Sequence, residues 1–167
     1  MRVADNLFVT NPDLFFVVPT LETVQRKVEK VLSHWQTPHL VVTGEKTRYD
    51  AFAAASAALA ASGTVSLELA MAGVPHLIAY RMNPLTAAIA RRVLKIKYVN
   101  LINLLEDAPI IPELLQENCT PERMTATLRS LLTGKQQETQ AALEKLGKGT
   151  SPSEKVAEML KQLARCV

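Results

Sequence analysis

Short apolar runs alternate with amphipathic stretches through the first two-thirds of this chain. Leu14-Phe15-Phe16-Val17-Val18, closed by Pro19, reads as a fully buried strand: a brief unbroken apolar run bounded by turn formers. His39-Leu40-Val41-Val42, turned by Thr43-Gly44, and His76-Leu77-Ile78-Ala79-Tyr80 read the same way. Between the first two, Thr20 can cap a helix to about His34, with Val24, Val28, Val31 and Leu32 near helical spacing. Arg2 to Thr10 looks like the tail of an amphipathic helix, which Asn11-Pro12-Asp13 breaks.

The stretch Tyr49 to Ala61 sets propensity against context. Eight of the eleven residues from Ala51 to Ala61 are alanine, the best helix former, so propensity alone gives helix throughout. The alternation on both sides demands a strand instead. We therefore expect a helix to about Ser56 and a strand from Ala57 to Ala61.

Ala60 to Pro75 is the stretch around which the chain is organised. It reads as a strand end, a tight turn at Ser62-Gly63-Thr64, a short helix, a stop at Gly73 and a second strand after Pro75. Free N–H groups and the positive dipole end at such a helix start attract phosphate, and a glycine there permits close approach. With Thr64 as N-cap, Glu68 lies about one turn in, where a carboxylate can accept hydrogen bonds from a sugar hydroxyl pair. An ordinary capped helix fits these residues as well.

Further on, Asn83-Pro84 opens a helix whose buried face is Leu85, Ile89, Val93 and Ile96, with Arg91, Arg92 and Lys95 towards its end. Tyr98-Val99-Asn100-Leu101 reads as a short extended piece, and the chain turns helical after Pro112. Thr120-Pro121 caps a helix to Leu132, stopped by Thr133-Gly134; another covers about Gln136 to Leu146. Gly147-Lys148-Gly149 is a flexible joint. Ser151-Pro152-Ser153-Glu154 is a capping box opening a last helix to about Arg165. The expected architecture is α/β and Rossmann-like: a mainly parallel sheet, helices on both faces and a helical tail. We divide it into a domain over 1–132 and a tail over 133–167 that packs on that domain or on a partner. Ligands of such sheets sit beyond the carboxyl ends of the strands, where the Ser62-Gly63-Thr64 turn falls.

Composition narrows the function classes. A length of 167 residues with 48% hydrophobic and 21% charged residues suits one globular core. A net charge of +3 and 5% aromatics argue against a nucleic-acid binder. Cys119, Cys166, His34, His39 and His76 make no metal-ligand spacing. No apolar run reaches the roughly 18 residues of a membrane span, and the start, with Asp5, is no signal peptide.

Several consecutive motifs resemble one family. Ala61-Ser62-Gly63-Thr64-Val65-Ser66-Leu67-Glu68 with Ala72-Gly73-Val74-Pro75 is the first, and Ala79-Tyr80-Arg81-Met82-Asn83-Pro84-Leu85-Thr86 the second. Tyr98 to Leu104 and Pro112 to Pro121 continue the match, which covers about Asp13 to Leu132. Together they resemble lipid-A-disaccharide synthase. The resemblance implies half of a GT-B glycosyltransferase, the C-terminal half that holds the sugar nucleotide. It implies transfer from UDP-2,3-diacylglucosamine to 2,3-diacylglucosamine 1-phosphate, giving the β-1,6-linked lipid A disaccharide and UDP.

Carried over by position, Ser62, Gly63, Thr64 and Ser66 face the diphosphate and Glu68 holds ribose hydroxyls. Tyr80 and Arg81 line the donor site; Asn103, Glu113 and Gln116 border the nucleotide. A solvated or ion-paired surface position is the plainer reading of Arg81. The family's Gly-Ser-Arg phosphate loop, expected just before the first helix, is missing, and so is the acceptor-side domain with the candidate base. The chain is thus expected to be a fragment or one product of a divided gene. No catalytic residue is assigned in it, and activity requires the N-terminal half. No cofactor or metal is implied: there is no Asp-x-Asp motif, and the helix dipole takes the cation's place. Other expected partners are the lipid acceptor, an anionic membrane surface at Arg91, Arg92, Lys95 and Lys97, and a second copy exchanging C-terminal helices in a homodimer. The expected location is the cytoplasm, peripheral on the inner face of the inner membrane. A non-catalytic UDP-sugar-binding or assembly module, or another GT-B enzyme such as a UDP-sugar epimerase or the peptidoglycan GlcNAc transferase, stays open beside this reading.

Overall fold

The computed structural model describes residues 2–61, 63–83, 97–134 and 137–147. Helix α1 (Arg2–Thr10) leads to strand β1 (Phe16–Pro19), then α2 (Glu22–Leu32), β2 (His39–Val42) and α3 (Glu45–Ala54). Strand β3 (Ala58–Ala60), α4 (Thr64–Met71) and β4 (His76–Tyr80) follow. Helix α5 (Leu101–Glu106), β5 (Glu113–Leu115), a 3-10 turn (Gln116–Asn118), α6 (Pro121–Leu132) and α7 (Gln140–Gly147) complete the described elements. All strand pairs are parallel: β1 with β2, and β3-β4-β5 with β4 in the middle. This is the expected α/β, Rossmann-like architecture of half a GT-B fold.

Alternation along the strands sends side chains to two helical layers. Leu77, Ala79, Leu114 and Phe16 meet Leu7 of α1 and Leu128 and Leu131 of α6 on one face. Ile78 meets Ala70 of α4, Ile102 of α5 and Ala142 of α7 on the other. Phe52 of α3, Ala60 of β3, Leu69 and Val74 close a third cluster beside it. A Schellman motif ends α4: Gly73 N–H donates to the Ala70 carbonyl and Val74 N–H to that of Leu69, with Gly73 at φ 71°.

Local expectations change in several places. The alanine-rich segment does contain a strand, because Ala58 and Ala60 must pair with β4, but α3 starts at Glu45 rather than Tyr49. The first apolar run is not fully buried: Phe15 and Val17 are exposed, since β1 has a strand on one side only. Helices α2 and α4 start from Leu21 and Gly63, with no side-chain cap from Thr20 or Thr64. Lys97–Asn100 is a bend instead of an extended piece, because the Asn100 side chain caps α5 by accepting from Ile102 and Asn103 N–H. Glu113–Leu115 is a third parallel strand of its sheet, where only helices were expected. The helix expected from Gln136 begins at Gln140, while Gln137 pairs with both backbone polar groups of His76. The helices expected from Asn83-Pro84 and from Ser151, and the joint at Lys148-Gly149, lie outside the described residues.

Candidate functional site

The loops leaving β3, β4 and β5 gather at the carboxyl edge of their sheet, and α4 starts there. Gly63 stands at its N-cap with φ 119° and ψ −154°, a backbone region open in practice only to glycine. No side-chain cap is seen among the described residues, and nothing beyond its own chain neighbours lies within 4 Å of where a Cβ on Gly63 would sit. A cavity of about 280 Å³ opens at this tip, lined by Gly63, Thr64, Leu67 and residues 99–102. Its geometry suits an anion: a helix start presents N–H groups without intrahelical partners at its positive end.

The opposite wall of the cavity is held by polar contacts that run from an exposed edge at Val99 to a buried centre at Asn103 and Ser66. The Glu113 carboxylate accepts from Val99 N–H (2.9 Å), Asn100 N–H (2.9 Å) and Asn103 Nδ2 (2.8 Å). Asn103, fully buried, donates to the Ile111 carbonyl and accepts from Ile111 N–H. Asn100 Nδ2 donates to Ser66 Oγ at 2.6 Å, and Ser66 lies 2.7 Å from His76 Nε2. His76 Nδ1 faces the Val74 carbonyl at 2.9 Å. A carbonyl can only accept, so Nδ1 carries the proton and Nε2 accepts from the Ser66 hydroxyl.

Burial holds the His76 imidazole below its ordinary pKa of 6.5. The unfolded chain therefore takes up that proton first as pH falls. Stability from this group is complete above about pH 6.5 and is lost at up to about 1.4 kcal/mol per pH unit below it, until His76 itself protonates. Urea denaturation between pH 7.5 and 5.5 (about two units) should show that slope, and His76→Gln should flatten it.

On the other side of the α4 tip, Glu68 faces α3. Its Oε1 accepts from Arg48 Nη2 at 3.4 Å. Glu68 Oε2 and Arg48 Nε are both buried without a hydrogen-bond partner. Such unpaired atoms are costly unless something else meets them. Two of the three unpartnered buried side-chain atoms among the described residues thus sit at this one place.

The structure sorts the expected site residues into three groups. Gly63 and Thr64 line the cavity; Glu68, one turn into α4, lies outside its lining and has one buried carboxylate oxygen without a hydrogen-bond partner. Tyr80, Arg81 and Gln116 stand at the ends of β4 and β5. There Arg81 donates to the Cys119 carbonyl (2.9 Å), and the Gln116 amide pairs with both backbone polar groups of Met82. Ser66, Asn103 and Glu113 have polar groups engaged in the wall, and Ser66 is only 1% exposed. Ser62 lies outside the described residues. Sequence reading missed Asn100 and Arg48. An asparagine just before the apolar Leu101-Ile102 is an N-cap signal; Arg48 gave none, because its partner is twenty residues away.

Parallel strands, helices on both faces and a glycine-led helix start at the carboxyl edge make this a Rossmann-like α/β protein, consistent with half of a GT-B fold. A family model described as lipid-A-disaccharide synthetase matches residues 1–167. The chain belongs to that family. It is 50% identical over 121 residues to the lipid-A-disaccharide synthase of Rhodospirillum centenum, covering 72% of this chain and 30% of that protein. The synthase of Paramagnetospirillum magneticum is 47% identical over 156 residues, covering 88% of this chain and 40% of the relative. That of Gluconobacter oxydans is 42% identical over 135 residues, 81% of this chain and 32% of the relative. The chain thus spans well under half the length of these relatives.

Proposed function

We propose that this chain is the donor-binding part of a lipid-A-disaccharide synthase. It would hold UDP-2,3-diacylglucosamine while the sugar passes to 2,3-diacylglucosamine 1-phosphate and UDP departs. The observation that carries this is the open α4 tip with an unpartnered Glu68 oxygen on its flank. Gly63 and Thr64 N–H groups bind the diphosphate and stabilise the negative charge that grows on departing UDP. Ser62 joins them at the diphosphate in this reading, and Glu68 takes the ribose hydroxyls. Tyr80 and Arg81 lie along the sugar side, while Gln116 fixes their loop to the end of β5. Glu113, Asn103 and Ser66 act through the wall they brace. The acceptor's general base comes from the N-terminal part of the synthase, so this chain alone is inactive.

No helix among the described residues is long and apolar enough to cross a membrane. In this reading the chain meets the lipid substrates peripherally, at the inner face of the inner membrane. The basic cluster expected there lies outside the described residues except Lys97, which is exposed and pairs with Asp107. A homodimer that exchanges C-terminal helices belongs to the same proposal.

Mixing this chain with an N-terminal half carrying the missing loop should restore UDP release from lipid donor and lipid acceptor. UDP binding without turnover would support a non-catalytic module. Glu68→Ala should weaken UDP binding by about 1–3 kcal/mol in titration calorimetry, the cost of leaving a ribose hydroxyl pair without its charged acceptor. Unchanged affinity would remove Glu68 from the site.

A further inference from the structure

A residue in a parallel ladder turns its N–H and C=O to one neighbouring strand, and the next residue turns them to the other. Ile78 N–H donates to the Pro112 carbonyl, so β4 meets β5 from Ile78 onward. Two residues earlier, the N–H and C=O of His76 face the same side, where β5 has not begun. Ile111 precedes β5 there, but the Asn103 amide takes both of its backbone groups. The Gln137 side chain fills the gap: its Oε1 accepts from His76 N–H at 3.0 Å, and its Nε2 donates to the His76 carbonyl at 2.6 Å. A primary amide carries the donor and acceptor of a peptide group, so Gln137 replaces one residue of strand. His76 is fully buried, and without Gln137 both of its backbone groups would lack a partner.

Gln137 belongs to the tail, and α7 after it is held on α5. Ala142 packs among Ile78, Ile102 and Ile111, and Lys145 donates to Glu106 at 2.7 Å. From His76 the contacts run on to both sides of the cavity. Its Nε2 meets Ser66 in the first turn of α4 at 2.7 Å, and Ser66 Oγ accepts from Asn100 Nδ2 at 2.6 Å. Asn100 caps α5 and lines the cavity with Gly63 and Thr64.

We infer that Gln137 is a positioning residue of this cavity: by fixing the backbone of His76 it sets the start of α4 against the wall at Asn100. A ring follows the backbone that carries it, so a His76 free to shift takes Nε2 away from Ser66, whose Oγ joins the two walls. The tail thus shapes the donor site from the amino end of the sheet, although the tip stands at the carboxyl edge. The effect on UDP rests on the reading of the α4 tip as a diphosphate site; the effect on the walls rests on the hydrogen bonds alone.

The test compares Gln137→Met with Leu128→Ala in the full chain. The first keeps the length of the side chain but neither hydrogen bond; the second loosens the sheet from its opposite face, where Leu128 packs on Leu77. In ligand-free hydrogen exchange, Gln137→Met should speed amides of residues 67–69 and 102–103 at least about fivefold more than those of residues 40–42. Leu128→Ala should show no such excess. UDP affinity in calorimetry should fall at least about fivefold in Gln137→Met and less than about twofold in Leu128→Ala. Ser66→Ala cuts the link beyond His76, so adding Gln137→Met to it should cost less than about twofold more, whereas a glutamine that only stabilises the fold gives losses that multiply. In the unsubstituted chain, UDP should also shift the Gln137 side-chain NH2 resonances, a readout that needs no variant to fold. The inference is overturned by exchange that rises evenly, by losses that multiply, or by unshifted resonances at saturating UDP. Absence of UDP binding by the unsubstituted chain sinks the diphosphate reading instead, and the exchange comparison then decides on Gln137 by itself.

Discussion

Gly63→Ala should remove most UDP binding while leaving the chain folded. At φ 119° and ψ −154° a Cβ meets no neighbour, so the penalty is conformational: about 1–3 kcal/mol of backbone strain. The chain escapes that strain by re-forming the start of α4, which turns the first N–H groups away from a bound diphosphate. Two charge-assisted hydrogen bonds lost together are worth roughly 3 kcal/mol, about a hundredfold in affinity. Gly134, at φ 92° beyond the end of α6, provides the control. Gly134→Ala carries strain of the same origin and should leave UDP affinity unchanged in calorimetry. Equal losses in the two variants would mean that general destabilisation, not the helix tip, sets the affinity.

Glu113→Ala is expected to be the most damaging single change to stability, at about 3–5 kcal/mol by chemical denaturation. Three donors lose their common acceptor, two of them backbone N–H groups of the bend at Val99 and Asn100. The bend is one wall of the cavity, so the loss reaches the site as well. Asn100 also caps α5 and donates to Ser66, and its displacement would unseat the Ser66–His76 pair. Glu113→Gln keeps one acceptor oxygen and should cost roughly half as much. A cost under about 1 kcal/mol for the alanine variant would mean that the bend is held by its own turn geometry instead.

Several features were legible in the sequence because each leaves a local signature. Apolar runs ended by Pro19, Gly44 and the Tyr80-Arg81 junction gave the strands, and Gly73 followed by Pro75 gave the end of α4. The strand inside the alanine run was legible only from context, since propensity opposed it and pairing with β4 decided it. Strand β5 was missed because Glu113-Leu114-Leu115 is short and carries a charge; its place is fixed by β4 beside it and by Asn103 holding Ile111. Family likeness pointed to the Ser62-Gly63-Thr64 turn but carried no information on which polar residues are committed to contacts within the chain. The polar groups of Ser66, Asn103 and Glu113 bond within the wall. Whether a polar residue does so depends on burial, a property of the folded chain. Arg48 and Glu68 meet only after α3 and α4 are packed side by side.

The central claim is that the α4 tip grips a diphosphate, and hydrogen exchange of the full chain titrated with UDP and, separately, with uridine tests it most directly. The account predicts protection of amides at residues 63–66 by UDP, with affinity at least about tenfold above that of uridine, since only UDP brings the charge a helix start attracts. Equal affinity for the two ligands, or protection everywhere but that turn, would contradict it.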